Sequence, residues 1–380
     1  MTEDKPATAA IPDPQSIQRI LLIKFKHIGD VLLATPVIEA LKARYPTARI
    51  DFLLHAETAH MVSSHPDVAN VITFSRGKGK MFTVKLIYGL WRQGYDLTVD
   101  LSGGGDRGAI WSFLTGAKTR LGTRVLKGLA GKRFLYTHTL PIPNSRSHSV
   151  LRDLYLLSLL DIQPEKPNMA FCFEAEDREK VKKLLSEAGI SADVSYAVMH
   201  PTSRWMFKCS SDEMMAEVID KLSNEYNLRT VITCGPDSKE RDRLDRIASL
   251  CKSEPLTFPG NLTLKELGAV LSGARVYIGV DTSISHMAAA LNVPSLALFG
   301  PTGAYNWGPW PNGQDGEAYP ARSGVQRADN GMHAVIQMDW ECVPCGKAGC
   351  DDSKISKCLT EITTDMVSLE LDWLLKGGQG

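Results

Sequence analysis

The stretch "GVDTSISHMAAA", residues 279 to 290, gathers Asp281, Thr282, Ser283, Ser285 and His286 where an apolar run hands over to a run of alanines. If the first run is a strand and the second a helix, hydroxyls and first-turn amides meet at a helix N-terminus. Such an end carries about half a positive charge and binds phosphate readily. Asp281 is a poor phosphate neighbour, but its carboxylate suits sugar hydroxyls, which it can accept in pairs. A helix cap at Asp281 or Thr282, with His286 packed inside, accounts for the same residues.

A second strand end, "HPTSRWMFKCSSDEMM" (200 to 215), offers the hydroxyls of Thr202 and Ser203 and the cations of Arg204 and Lys208. This is the equipment an anionic diphosphate requires, although solvated loop cations look the same in sequence. Two donor-rich strand ends in one half of the chain favour a diphosphate-bearing ligand there. In the other half, "KFKHIGDVLLATP" (24 to 36) sets Asp30 at a helix start behind Lys24, Lys26, His27 and the turn-permitting Gly29. A carboxylate so placed suits a general base taking a proton from an attacking hydroxyl, or else an N-terminal cap. Near the end, Cys342, Cys345, Cys350 and Cys358 are spaced C-x2-C-x4-C-x7-C. Four thiols could hold a structural zinc, but one CxxC half-site also fits a redox pair or a pinned loop.

The elements that must position these groups alternate. Short apolar runs at 19–25, 49–55, 70–74 and 95–103 are separated by helical spacing, including one helix over 30–46 and another over 80–94. The second half repeats the scheme with strands at 195–200, 229–234, 275–280 and 295–300, helices at 211–226, 238–250 and 264–274, and a terminal helix over 363–377. Strands alternating with helices imply parallel sheets covered on both faces, and 380 residues suffice for two such domains. The expected divisions are a flexible segment 1–18, a first domain 19–175 and a second domain 176–380. Neither GxGxxG nor GxxxxGK[ST] follows an opening strand, so the common dinucleotide and P-loop fingerprints are missing. Lysine plus arginine and aspartate plus glutamate both number 43, so no net field draws the chain to nucleic acid, and any anion must be met locally. The polar N-terminal stretch and the lack of a long apolar run suggest a cytoplasmic protein.

In "LLIKFKHIGDVLLATPVIEALKARYPTARIDFLLHAETAHMVSSHPDV" and "GVDTSISHMAAALNVPSLALFGPT" the chain resembles the ADP-heptose:lipopolysaccharide heptosyltransferases, glycosyltransferase family 9. The likeness runs from about residue 18 to the last helix. In "FKHIGDVLLATPV", "HPTSRWMFKC" and "CVPCGKAGCDDSKISKCL" it leans toward the type III branch, which adds a side-branch heptose to the second inner-core heptose.

That resemblance implies an α/β GT-B fold of two facing Rossmann-like domains, acceptor on the first and ADP-heptose on the second, with no cofactor or essential metal. It implies Asp30 as catalytic base. Thr202, Ser203 and Lys208 correspond to the diphosphate group, Asp281 to the aspartate on the donor sugar, and Thr282, Ser283 and His286 to the helix start beneath the phosphates. Asp237 stands where the family usually has a ribose-holding glutamate, and Leu262 beside the adenine. Lys24, His27 and Arg120 are expected on the acceptor side. Ser283 and Cys209 depart from the family's glycine and tryptophan. The implied partners are ADP-heptose, the lipopolysaccharide inner core of a Gram-negative cell, and transient contact with the cytoplasmic face of the inner membrane. Lys118, Arg120, Arg124, Lys127, Lys132 and Arg133 are candidates for that contact, or an ordinary solvated surface. A GT-B transferase for another nucleotide sugar, or a non-catalytic homologue, would carry much of the same sequence.

Overall fold

In the computed structural model, residues 13–377 are described apart from 76, 125–133, 142–144, 192–193 and 352. The chain divides into two units after Ala170. The first runs β1 (Arg19–Lys24), α1 (Ile28–Leu33), α2 (Thr35–Arg44), β2 (Arg49–His55), β3 (Val68–Phe74), α3 (Gly79–Gln93), β4 (Leu97–Asp100), α4 (Asp106–Leu114), β5 (Thr119–Arg124), β6 (His138–Pro141) and α5 (Ser149–Tyr155). Its sheet order is β3-β2-β1-β4-β5-β6, with every neighbouring pair parallel. On one face Leu21, Ile23 and Leu53 pack with Leu90, Tyr95 and Trp111.

The second unit runs α6 (Ala175–Glu187), β7 (Tyr196–His200), α7 (Asp212–Tyr226), β8 (Arg229–Thr233), α8 (Ser238–Leu250), β9 (Leu256–Phe258), α9 (Leu264–Ser272), β10 (Val276–Val280), α10 (Ser283–Ala290), β11 (Ser295–Phe299), α11 (Ala304–Trp307), β12 (Gln326–Arg327), β13 (His333–Gln337), α12 (Lys357–Thr360) and α13 (Thr364–Asp372). Its sheet order is β12-β13-β11-β10-β7-β8-β9, parallel except for the β12 edge. Without that edge the second sheet repeats the order of the first, with β7 in the place of β1. Both units are thus doubly wound and Rossmann-like, the fold class expected. Each chain reversal leaves its ligand-accessible turns at the carboxyl ends of the strands, which is where the candidate residues lie.

The expected elements and the observed ones differ in three ways. The single helix over 30–46 is two helices meeting at Ala34. Pro36, in the first turn of α2, brings no N–H, and Leu32 O is taken instead by the Thr35 hydroxyl at 2.7 Å. The strands β5, β6, β9, β12 and β13 lie outside the expected runs, because each is short or interrupted by polar residues. The terminal helix begins as expected, the Thr363 hydroxyl accepting from Met366 N–H at 3.3 Å, but its regular part closes at Asp372.

Candidate active site

Three adjacent strands of the second unit, β7, β10 and β11, deliver the densest polar cluster. Asp281 follows β10 directly, its N–H donating to Leu298 O at 3.2 Å, which fixes the residue in line with the sheet. Its Oδ2 accepts from Lys208 Nζ at 2.6 Å and from Thr302 Oγ1 at 2.5 Å. Lys208 ends the short turn Met206–Lys208 after β7, and Thr302 lies in the turn after β11. The Asp281 side chain is 7% exposed and that of Lys208 19%, so the ion pair is partly desolvated yet open on one side.

Around this centre the loops are held by their own polar groups. Gln337, buried at the end of β13, donates Nε2 to Gly300 O at 2.7 Å and to Thr302 O at 2.8 Å. Ser356 donates to Phe207 O at 2.6 Å, and Ser210 donates to Leu359 O at 2.8 Å. Gly346 N–H donates to Pro301 O at 2.7 Å. The C-terminal segment therefore fastens both the turn carrying Lys208 and the turn carrying Thr302.

The remaining residues expected on the donor side divide by exposure. Thr202 and Ser203 are buried and turned inward: Thr202 donates to Glu240 Oε2 at 2.7 Å, and Ser203 Oγ accepts from Trp205 N–H at 3.2 Å. They shape the Lys208 loop. Thr282 caps α10, accepting from Ile284 N–H at 3.3 Å, while Ser283 occupies the partly exposed first helical position. Ser285 returns its hydroxyl to Thr282 O at 2.6 Å, and His286 is packed in the interior. The cap and the packed histidine thus coexist with an accessible helix start.

Asp237 caps α8 through Lys239 N–H at 2.9 Å. The buried glutamate of this region is Glu240, whose Oε2 also accepts Gly235 N–H at 3.1 Å. Leu262 lies just beyond Gly260, where φ is +72° and an added Cβ would come within 2.5 Å of Gly235 O. The turns after β8 and β9 are therefore drawn together beside Asp237 and Leu262. A surface depression of about 980 Å³, lined by Ser195, Arg229 and Arg275, opens at the opposite, amino ends of the strands, away from these groups. Ligands of doubly wound sheets bind at carboxyl ends, so the polar cluster rather than this depression is the candidate site.

In the first unit, Asp30 sits in the opening turn of α1, its Oδ2 accepting His27 N–H at 3.2 Å. Lys24 is 3% exposed and paired with Asp153 at 2.6 Å. Burial pushes the Asp153 carboxyl up to about 6 against the opposing Lys24 charge, and the neighbouring Asp30 carboxylate adds to the rise. Lys24 is thus held inside by Asp153, rather than extended toward solvent. Arg120 spends its guanidinium on Leu135 O, Ala117 O and Phe134 O at 2.9, 2.6 and 3.1 Å. These bonds tie β5 to Phe134 and Leu135 just ahead of β6. Lys127, Lys132 and Arg133 lie outside the described residues.

The zinc reading of the four clustered cysteines, one of three left open, finds no support in the structure. Among the described residues no group of three or more His, Cys, Asp or Glu side chains is arranged to hold a metal ion. Cys358 is buried within α12, whereas Cys342 and Cys345 are exposed free thiols. Burial, aided by the nearby Cys350, Cys345 and Cys342, raises the Cys358 thiol to about 11. The segment is secured instead by the hydrogen bonds to Phe207 and Pro301 described above.

Residues 83–318 match the family model described as glycosyltransferase family 9 (heptosyltransferase). The chain is 32% identical to lipopolysaccharide heptosyltransferase 3 of Escherichia coli K12, over 75% of this chain and 83% of that one. Among solved structures it is similar to a glycosyltransferase of family 9 from Veillonella parvula, with a TM-score of 0.76 at 19% identity, covering 94% of this chain and 97% of that one. It is also similar to E. coli ADP-heptose lipopolysaccharide heptosyltransferase II, with a TM-score of 0.73 at 19% identity, covering 96% and 100%.

Proposed function

As the chain belongs to glycosyltransferase family 9, with its GT-B fold, we propose that it moves heptose from ADP-heptose to a heptose of the lipopolysaccharide inner core, with inversion and with type III acceptor choice. The observation that carries this reading is the convergence of Lys208, Asp281 and Thr302 beside the start of α10. A cation, a carboxylate and first-turn amides at one strand end match a sugar diphosphate in both charge and hydrogen bonding. The similarity to heptosyltransferase 3 supports the acceptor branch.

In this reading the acceptor hydroxyl gives its proton to Asp30 as its oxygen attacks the anomeric carbon. The bond from that carbon to the diphosphate oxygen breaks on the opposite face, and ADP departs with the electron pair. Charge grows on the diphosphate in the transition state, so groups already aimed at it lower the barrier more than they tighten ground-state binding. Lys208 and the α10 amides are those groups. Asp281, freed from part of its contact with Lys208, accepts hydroxyls of the donor sugar. Asp237, Leu262 and the joined turns at Gly235 and Gly260 receive the nucleoside. Asp30 acts with the aid of His27, whose backbone N–H orients its carboxylate.

The test is transfer to purified, delipidated core oligosaccharide, followed by mass spectrometry, with titration calorimetry of ADP-heptose against UDP- and GDP-sugars. A heptose-sized mass gain and preference for the adenine nucleotide are expected. Tighter binding of a uracil or guanine nucleotide identifies another GT-B transferase. Nucleotide binding without transfer to any core acceptor identifies a non-catalytic homologue.

A further inference from the structure

Helix α3 is an anomaly in a doubly wound unit: of its 15 residues only Leu90 is fully buried. Leu86 and Ile87 pack beside Leu90 on the sheet core, which accounts for one face. Met81, Val84, Tyr88 and Trp91 are 68, 59, 57 and 59% exposed. Their spacing of three, four and three residues puts them in one stripe along the outer surface. All four leave more than half of their surface outside the core of this unit.

The charges around the stripe are of one sign. Lys78, Lys80, Lys85 and Arg92 are exposed on or beside α3, and the sequence has no aspartate or glutamate between Asp67 and Asp96. Arg92 lies 5.9 Å from the Tyr88 ring centre, and Tyr88 stacks with Trp91 at 6.2 Å. The Trp91 ring lies against Gly116, the turn that ends α4. Phe113 of that helix and Phe134 are 42 and 60% exposed and meet edge to face at 5.7 Å.

We propose that the outer face of α3 is a docking surface for an anionic lipid bilayer, with Met81, Val84, Tyr88 and Trp91 entering the headgroup boundary and Lys78, Lys80, Lys85 and Arg92 pairing with lipid phosphates. The chemistry is that of an interfacial amphipathic helix: an apolar stripe with aromatic anchors, bordered by cations. A second copy of the chain fits worse. In a two-fold interface this face would meet itself, bringing the cations of both copies together with no acid between them. Lysine stems also cover apolar surface while keeping their charge at the phosphate level. The proposal extends the reading that the acceptor is lipid-linked. It places the membrane contact on α3 rather than on the cluster from Lys118 to Arg133.

The test uses the full chain and large unilamellar vesicles, either pure phosphatidylcholine or phosphatidylcholine with 30% phosphatidylglycerol in a roughly physiological buffer. Sedimentation should show binding to the anionic vesicles that weakens as salt rises, with little binding to the neutral ones. Each cation is worth about fivefold at such a surface, so the double variant K80E/K85E should bind at least tenfold more weakly. V84S/W91S should lose a similar factor while remaining sensitive to salt. These positions are outside the transfer machinery, so both variants should keep wild-type turnover on delipidated core acceptor. Wild-type protein that ignores anionic vesicles, or variants that bind them undiminished, would overturn the proposal. So would a dimer in velocity sedimentation that V84S/W91S dissolves. If vesicle binding follows the variants but no core acceptor is modified, the docking surface stands and the transferase reading fails.

Discussion

Lys208 and Asp281, 73 residues apart in sequence, meet Nζ to Oδ2 at 2.6 Å across the carboxyl ends of β7 and β10. The pair holds the cation that a diphosphate needs and the carboxylate that a sugar needs within one hydrogen bond of each other. Each satisfies the other. In the proposed reaction, donor binding exchanges part of this contact for contacts to the nucleotide sugar, so the strength of the pair should act oppositely on binding and on turnover.

Removing Lys208 should cost kcat about 10²- to 10³-fold, as for loss of one group stabilising transition-state charge. K208M alone also leaves Asp281 nearly buried without its cation, which destabilises the fold. The double variant K208M/D281N removes both charges and should recover melting temperature without recovering turnover. Steady-state kinetics beside thermal unfolding separates the two effects. A K208M enzyme with wild-type kcat removes the lysine from the mechanism.

Asp281→Asn leaves Lys208 with no competing anion. ADP should then bind about two- to fivefold more tightly, the range expected for a partly exposed ion pair. Transfer should nevertheless fall about ten- to hundredfold through loss of a charged hydrogen-bond acceptor on the sugar. T302V, which deletes only the second bond to Asp281, should give a smaller loss of transfer with little change in ADP affinity. Calorimetry and initial rates on the same preparations check both. Weaker ADP binding by D281N would show that Asp281 holds Lys208 in place rather than competing for it.

Much of this was legible in the sequence, but as separate strand ends. Lys208 and Asp281 each stood out from their neighbours, yet no local pattern says that β7 and β10 pair directly. Strand order depends on packing between remote segments. Thr302 lay inside the quoted "LFGPT" stretch and carries no signal beyond being a hydroxyl after a strand. The strand β13, "HAVIQ", is wholly buried yet starts with His333 and ends with Gln337, so the rule that buried strands read as apolar runs passes over it. Gln337 is polar because it holds the Thr302 turn. Arg120 reads as a ligand for an anion because sequence cannot show that backbone carbonyls already occupy it. The break between α1 and α2 was marked by Pro36 but overridden by an apolar pattern that continues through it.

Two buried histidines of the second unit make its stability depend on acid. Burial lowers His200 to about 4 and His333 to about 3, so both are neutral in the fold well below the ordinary imidazole value. As pH falls below about 6.5 the unfolded chain takes up protons that the native state refuses, so stability falls. It should be flat above that pH and decline by about 1.4 kcal/mol per unit per histidine until each folded value is reached. His333 is fully buried, and neither ring nitrogen has a hydrogen-bond partner among the described residues. H333L should therefore reduce the acid slope and cost little at neutral pH. Denaturant melts between pH 4 and 7.5 measure this, and an unchanged slope in H333L would show that His333 does not carry it.

Gly260 tests the proposed nucleoside end of the site. Its left-handed backbone and the 2.5 Å approach to Gly235 O leave no space for a side chain. Gly260→Ala should cost about 1–2 kcal/mol in backbone strain alone and more if the turn cannot shift. Because that turn leads into Leu262, affinity for ADP should fall while the Lys208 region stays intact. Inorganic diphosphate binding should then be unchanged. Equal losses for ADP and diphosphate would place the nucleoside elsewhere.

Asp30 carries two duties that a single substitution confuses. Its carboxylate accepts His27 N–H at the start of α1, and in the proposed reaction it takes the acceptor's proton. D30A removes both, and loss of such a cap costs about 1 kcal/mol. Asn at this position keeps an oxygen for the His27 amide but has no basicity. D30N should therefore melt within a few degrees of wild type and bind ADP-heptose within a few fold, yet lose transfer by about 10²- to 10⁴-fold. If the loss comes from missing basicity, it should shrink as pH rises and the acceptor hydroxyl is more readily deprotonated. If it comes from altered positioning of α1, it should be the same at every pH. Rates from pH 6 to 9.5 on the delipidated acceptor decide between them, and D30N with wild-type turnover would mean the proton goes to another group.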